Sequence, residues 1–293
     1  MSTDERPLRL GTRGSNLARA QSSQVARALH RATGRPVELK IISTRGDRDR
    51  TRPLAALGGK GLFTAELEAE LREGTIELAV HSLKDLPTED PDGLVLAAIP
   101  TRADPRDVIV GAPLEALPVG AVVGTGSLRR KMQVLARRPD LAVRGIRGNV
   151  ETRLRKRDEG DYDAVILAKA GLDRLGITRD DITPFSPGQM VPAVGQGALG
   201  VQGSLHRPEI LVLLKTIDDP VTRRRVAAER AFLRTFGGGC NVAAACYARV
   251  EAGDVLHLRA VVQQDDGEIK QAEARGVDGP ALGRMLAETL RFG

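Results

Sequence analysis

Leu8-Arg9-Leu10-Gly11-Thr12-Arg13-Gly14-Ser15 joins a short alternating strand to a glycine-bearing loop and a serine suited to cap a helix. The amphipathic segment that follows runs to about residue 33, where Gly34 and Pro36 stop it. Val37, Leu39 and Ile41 then alternate with Glu38 and Lys40 as in a half-buried strand. A helix is expected from about 62 to 72, and Ile76, Leu78 and Val80 mark a third strand. This alternation predicts an α/β fold with a mostly parallel sheet covered by helices.

Further along, the pattern repeats. Ala121-Val122-Val123 is a strand, Gly124-Thr125-Gly126 a turn, and Ser127 the N-cap of a helix opening Leu128-Arg129-Arg130. A strand near 141–143 leads through Arg147-Gly148-Asn149 into a charged helix holding Arg153, and 164–167 is a buried strand. The proline-bounded segment 100–105 is the expected crossing into this second unit, and Val194-Gly195-Gln196-Gly197-Ala198 the return. A helix from about Val221 ends at Gly237-Gly238-Gly239-Cys240. Alternating strands and a final helix at 281–290 then form a small α+β unit.

Composition narrows the function. The 293 residues carry 44 Lys and Arg against 38 Asp and Glu, a net charge of +6, with arginine far in excess of lysine. Trp is absent and aromatics are 2% of the chain, too few for the stacking platforms of single-strand nucleic-acid binders. The basic residues recur at strand ends rather than along one helix face, so no nucleic-acid partner is expected. No apolar run approaches membrane-spanning length and the polar start lacks a secretory core. Two cysteines this close make a poor disulfide framework, so a cytoplasmic protein without a membrane partner is expected.

Strand-to-helix loops at the carboxyl ends of parallel strands form a binding crevice, where helix N-termini attract anions. Arg13 with Ser15, Thr125 and Ser127 with Arg129 and Arg130, and Arg147 with Asn149 and Arg153 all sit at such ends. None of these loops has phosphate-loop spacing and no Gly-x-Gly-x-x-Gly follows the first strand, so a ligand with several carboxylates suits so many arginines better than a nucleotide. Asp85, beside Lys84 in His81-Ser82-Leu83-Lys84-Asp85-Leu86-Pro87, should enter the crevice as its only acid, able to bind N–H donors and relay a proton. His81 is read as structural and no metal is expected, because a second His or Cys at ligand spacing is missing. Cys240, stripped of shielding by three glycines, is placed as a covalent anchor, whereas Cys246 in an apolar strand is core filler.

Arg13-Gly14-Ser15, Gly58-Gly59-Lys60-Gly61-Leu62-Phe63, His81 to Pro87, Gly124 to Arg130, Arg147-Gly148-Asn149, Val194 to Gly197 and Gly238-Gly239-Cys240 resemble, in order, the porphobilinogen deaminase (hydroxymethylbilane synthase) family over nearly the whole chain. The resemblance implies two domains like type II periplasmic binding proteins around a cleft, 1–100 with 198–218 and 101–197, plus an α+β domain, 219–293. It implies a dipyrromethane cofactor joined to Cys240 by a thioether, and porphobilinogen as substrate. Four units would be joined with loss of ammonia and a linear hydroxymethylbilane released by hydrolysis, in tetrapyrrole biosynthesis. By the same carry-over Asp85 is catalytic. Arg13, Ser15, Lys84, Thr125, Ser127, Arg129, Arg130, Arg147, Asn149, Arg153, Arg174 and Gln196 hold cofactor and substrate. The segment 44–59, rich in Arg, Asp and Gly, is expected to be a lid, with Lys60 and Phe63 part of it. A monomer is expected. The competing reading is a non-catalytic organic-anion binder with the same cleft, which would need neither Cys240 nor Asp85.

Overall fold

A computed structural model describes residues 6–44, 64–237 and 242–292. Two compact units emerge, Met1–Arg102 with Ala198–Arg223, and Ala103–Gly197 with Arg224–Gly293.

In the first unit β1 (Leu8–Thr12), β2 (Val37–Ile41), β3 (Leu78–Ser82), β4 (Leu94–Ala98) and β10 (Leu199–Ser204) form a sheet in the order β2-β1-β3-β10-β4. β1 is parallel to β2 and β3, whereas the returning β10 is antiparallel to both β3 and β4. Helix α1 (Asn16–Thr33) begins as the sequence predicts, with the Ser15 side chain accepting from Ala18 N at 3.3 Å, and it stops at Gly34, whose φ of 72° is left-handed. Its Val25 and Leu29 pack on Leu8, Leu10, Leu78, Val80, Leu199 and Val201, together with Ile210 and Leu214 of α6 (Pro208–Lys215). On the opposite face α2 (Ala65–Arg72) buries Leu67 and Leu71 against Ile42, Ile76 and Ala79. Gly11 permits that close layer, since a Cβ there would lie 2.4 Å from Ile76 Cδ1.

The second unit carries β5 (Asp107–Gly111), β6 (Val122–Gly124), β7 (Ala142–Arg144), β8 (Ala164–Ala168) and β9 (Ile182–Pro184) in the order β7-β6-β8-β5-β9. Parallel pairing joins β6 to β7 and β8, while β5 runs antiparallel to β8 and β9. Helices α3 (Leu128–Arg137), α4 (Val150–Asp158) and α5 (Lys169–Arg174) connect these strands. The same unit contains an antiparallel sheet of β11 (Ala244–Val250), β12 (Leu256–Gln263) and β13 (Ile269–Gly276). Helices α7 (Pro220–Phe236) and α8 (Gly279–Phe292) cover it through Ala228, Phe232, Leu282, Leu286 and Leu290. Cys246 lies in this core with no exposed surface, as an apolar strand residue should. Buried Glu229 ties the return segment to this sheet: its carboxylate accepts from Gly195 N at 2.8 Å and Ala248 N at 2.9 Å.

Arg223 in the first turn of α7 is an anchoring residue rather than a solvated one. Its guanidinium is half-buried, donates to Asp218 at 2.7 and 2.8 Å and to Ala97 O at 2.8 Å, and so fastens the start of α7 to the end of β4.

Candidate active site

In the first unit the polar groups occupy two strand ends. Arg13 and Ser15 follow β1, and Ser15 is engaged as the α1 cap. Lys84 and Asp85 sit in the single 3-10 turn Leu83–Asp85 that follows β3. Buried Leu83 and Leu86 anchor this turn, Leu83 N bonds Ala198 O at 3.1 Å, and Leu86 N bonds Leu83 O at 3.2 Å. Gln21 Nε2 donates to Ser82 Oγ at 2.7 Å, pinning the strand end to α1. Asp85 is thus held by its neighbours while its own side chain stays exposed and Lys84 half-buried.

His81, next to the end of β3, is buried, and its imidazole is pushed down to about 4 by that burial; the Gln202 amide opposes the shift and the Arg13 charge adds to it. The ring is therefore neutral near pH 7, which agrees with a structural role. Its Nε2 has no hydrogen-bond partner among the described residues.

The second unit gathers more. Ser127 Oγ accepts from Arg130 N at 3.4 Å as the α3 cap, and Thr125 Oγ1 accepts from Ser127 N at 3.2 Å. A cavity of about 210 Å³ opens here, lined by Thr125, Gly126, Ser127, Leu128, Lys131, Val143 and Gly145. Asn149 Oδ1 caps α4 by accepting from Thr152 N at 2.9 Å, and Arg153 Nε donates to Gly148 O at 2.9 Å. Arg147 is half-buried on the same connection. The two connections abut, for a Cβ on Gly126 would lie 3.3 Å from Ile146 O.

Arg129 and Arg130 do not project into open solvent. Each is 5% exposed, and both converge on Asp107, which is fully buried. Asp107 takes Arg129 Nη1 at 2.6 Å and Arg130 Nε at 2.9 Å, and Gln196 Nε2 adds a bond at 3.0 Å. Burial alone would raise the Asp107 carboxyl, but Arg129 and Arg130, with hydrogen bonds from Arg129 and Gln196, hold it well below the ordinary carboxylate range. Arg130 is lowered by burial and by Arg129, with Asp107 opposing. Nearby Arg174 donates to Gly197 O at 2.8 Å and is pushed down to about 10 by burial, against the pull of Asp173.

Asp107 is the residue that sequence reasoning missed, and it corrects the expectation that Asp85 is the only acid among these groups. The signal was an aspartate opening an otherwise apolar strand, Asp107-Val108-Ile109-Val110, whose burial demands a cationic partner. Cys240, Lys60, Phe63 and the lid segment beyond Thr44 lie outside the described residues.

Residues 8–211 match the family model described as porphobilinogen deaminase, dipyromethane cofactor binding domain, and residues 223–291 match the porphobilinogen deaminase C-terminal domain. Among curated relatives, a porphobilinogen deaminase of Roseiflexus sp. (strain RS-1) is 48% identical over 287 residues, covering 96% of this chain and 94% of the relative. One from Halalkalibacterium halodurans is 46% identical, covering 97% and 94%. A solved periplasmic substrate-binding protein of an ABC transporter from Coxiella burnetii aligns with a TM-score of 0.45 at 13% identity, over 76% of this chain and 96% of that one. With both segments matched and identities this high over nearly its whole length, the chain belongs to the porphobilinogen deaminase family.

Proposed function

We propose that this chain joins four porphobilinogen units head to tail with loss of ammonia and releases linear hydroxymethylbilane by hydrolysis, as a step of tetrapyrrole biosynthesis. The observation that carries the reading is the match of residues 8–211 to the family's cofactor-binding domain, the span that contains Asp85 and the arginine-bearing strand ends. A non-catalytic anion binder would leave an exposed carboxylate on so firmly anchored a turn without a task.

The residues present fit the dipyrromethane. Arg129 and Arg130 bring two guanidiniums to one internal carboxylate, and Arg129 Nε is buried without a hydrogen-bond partner among the described residues. A carboxylate-bearing ligand supplies the missing anion. When bound, the cofactor offers the pyrrole carbon to which the first substrate unit is joined. We assign its thioether to Cys240, and its carboxylates and those of the substrate to Arg13, Ser15, Lys84, Thr125, Ser127, Arg129, Arg130, Arg147, Asn149, Arg153, Arg174 and Gln196. Asp85 accepts hydrogen bonds from pyrrole N–H groups and stabilises the cation that forms on porphobilinogen as ammonia departs, favouring the transition state over the neutral substrate. Lys60 and Phe63 belong to a lid in this proposal. The chain is divided into the domains 1–100 with 198–218, 101–197 and 219–293, a division supported by the three separate sheets. No helix among the described residues is long and apolar enough to cross a membrane. We propose a cytoplasmic monomer that works without a nucleic-acid or membrane partner.

Intact mass spectrometry tests the reading. The purified chain should carry the extra mass of a linked dipyrrole and give the Ehrlich colour reaction, and Cys240→Ser should fold but lose both. An unmodified wild-type chain with full activity would overturn the assignment of the anchor.

A further inference from the structure

In the second unit two guanidiniums share one buried carboxylate, and they meet it unequally. Asp107 Oδ1 accepts from Arg130 Nε at 2.9 Å, Arg129 Nη2 at 3.1 Å and Gln196 Nε2 at 3.0 Å, and Arg130 Nη2 lies 2.8 Å from it as an ion-pair contact. Oδ2 takes Arg129 Nη1 at 2.6 Å. Arg129 therefore faces Asp107 with its terminal Nη1–Nη2 edge, and Arg130 with its Nε–Nη2 edge. Backbone carbonyls hold both from behind, Val191 O on Arg129 Nη1 and Ile166 O on Arg130 Nη1, each at 2.8 Å.

Neither charge nor hydrogen bonding closes within this group. Two cations meet one anion where each arginine is 5% exposed, and Arg129 Nε stays buried without a partner among the described residues. A buried ion cluster that serves stability alone is neutralised and satisfied internally, because each buried unpaired charge or donor costs free energy. What remains here is one positive charge and one donor edge, the complement of a single carboxylate.

We propose that Asp107 is a positioning residue that fixes the capacity of the Arg129–Arg130 pair at one ligand carboxylate, by neutralising one guanidinium and locking the edge that each presents. The inference deepens the function proposed above and rests on it. A ligand that grows by two carboxylates per unit must be held firmly enough to align and loosely enough to advance. An uncompensated pair of guanidiniums would hold an anion too tightly to pass it on.

The test uses the full chain with Asp107→Asn, alongside Asp107→Glu, purified with and without succinate as the carboxylate probe; the titrations, for wild-type Asp107 as for the variants, are made in a Cys240→Ser background so that no anchored cofactor occupies the arginine pair, and the kinetics with Cys240 intact. Calorimetric titration should show Asp107→Asn binding succinate about tenfold more tightly than wild type, with a steeper salt dependence, because one repelling charge at close range is gone. Its kcat and KM for porphobilinogen should fall together, whereas Asp107→Glu should keep wild-type affinity for succinate. A merely structural aspartate predicts the reverse, a weakened site with a raised KM. Unchanged or weaker succinate binding would overturn the proposal, as would an Asn variant that cannot be recovered folded even with succinate present. The titration reads the arginine pair whether or not the chain turns over, while the mass and colour reaction of the wild type test the activity separately.

Discussion

Asp85 and His81 stand four residues apart and owe their properties to opposite environments. Asp85 is exposed on a turn fixed by buried Leu83 and Leu86, so its charge comes without a large desolvation cost and its position is set by others. In the proposed function Asp85→Asn keeps the shape and removes the charge, so the variant should fold and bind porphobilinogen yet turn over at least about a hundredfold more slowly. A defect confined to KM would make Asp85 a binding residue. His81 behaves differently because it is enclosed. The unfolded chain's imidazole titrates near about 6.5, whereas burial pushes the folded one down to about 4. Between those values the unfolded chain binds a proton that the folded chain does not, so stability rises with pH across that window and falls toward its acid end, by about 3 kcal/mol in all. Denaturant melts at pH 7 and pH 4.5 should therefore differ less for His81→Gln than for wild type. An equal loss in both would assign the acid sensitivity to other groups.

At the scale of elements, what was legible in the sequence was what neighbours in the chain decide. Ser15 and Ser127 are caps, as the sequence predicts, because a side-chain oxygen three residues before a helical N–H needs nothing distant to bond it. Asn149 is a cap for the same reason, although the family resemblance drew attention to it as a ligand group. The partnership of Asp107 with Arg129 was not legible, since it spans 22 positions and exists only because β5 lies beside the start of α3. The anchoring of Arg223 is hidden on similar grounds, because the carbonyl that receives it, Ala97 O, is 126 positions away. The packing of α7 on α8 is equally hidden in sequence. A Cβ on Gly283 would stand 2.2 Å from Ala228 O and 2.9 Å from Phe232 N. Both are backbone atoms, so no rotamer change relieves the clash and the helices must part. Gly283→Ala should destabilise the chain by about 1–3 kcal/mol, measured by chemical denaturation. Gly145→Ala, where a Cβ meets nothing within 4 Å, is the control, and equal losses would show that the helix contact is not the cause.

For the whole molecule, the order of strands matters more than their number. The alternation of strand and helix gave the α/β class, but periodicity cannot tell which strand a distant segment will join, so the place of β10 between β3 and β4 was beyond it. That placement makes the first sheet incomplete until residue 204 has joined it. Without β10, β3 and β4 lose their shared neighbour, Leu199 and Val201 leave the core, and α6 withdraws Ile210 and Leu214 from the same cluster. Residues 1–102 alone should therefore remain unfolded, exposing two unpaired strand edges and half a core. The outgoing and returning chains run side by side at the crossing, where Ala103 N donates to Gly197 O at 3.2 Å, so a short Gly/Ser linker can join 102 to 198 without spanning a gap. The fused segment 1–102 with 198–223 should then melt cooperatively, with dispersed amide resonances, while 1–102 gives the narrow dispersion of an unfolded chain. If 1–102 alone folded as stably as the fusion, β10 would be an accessory strand, and the discontinuity of the first unit would be a feature of sequence order rather than of its core.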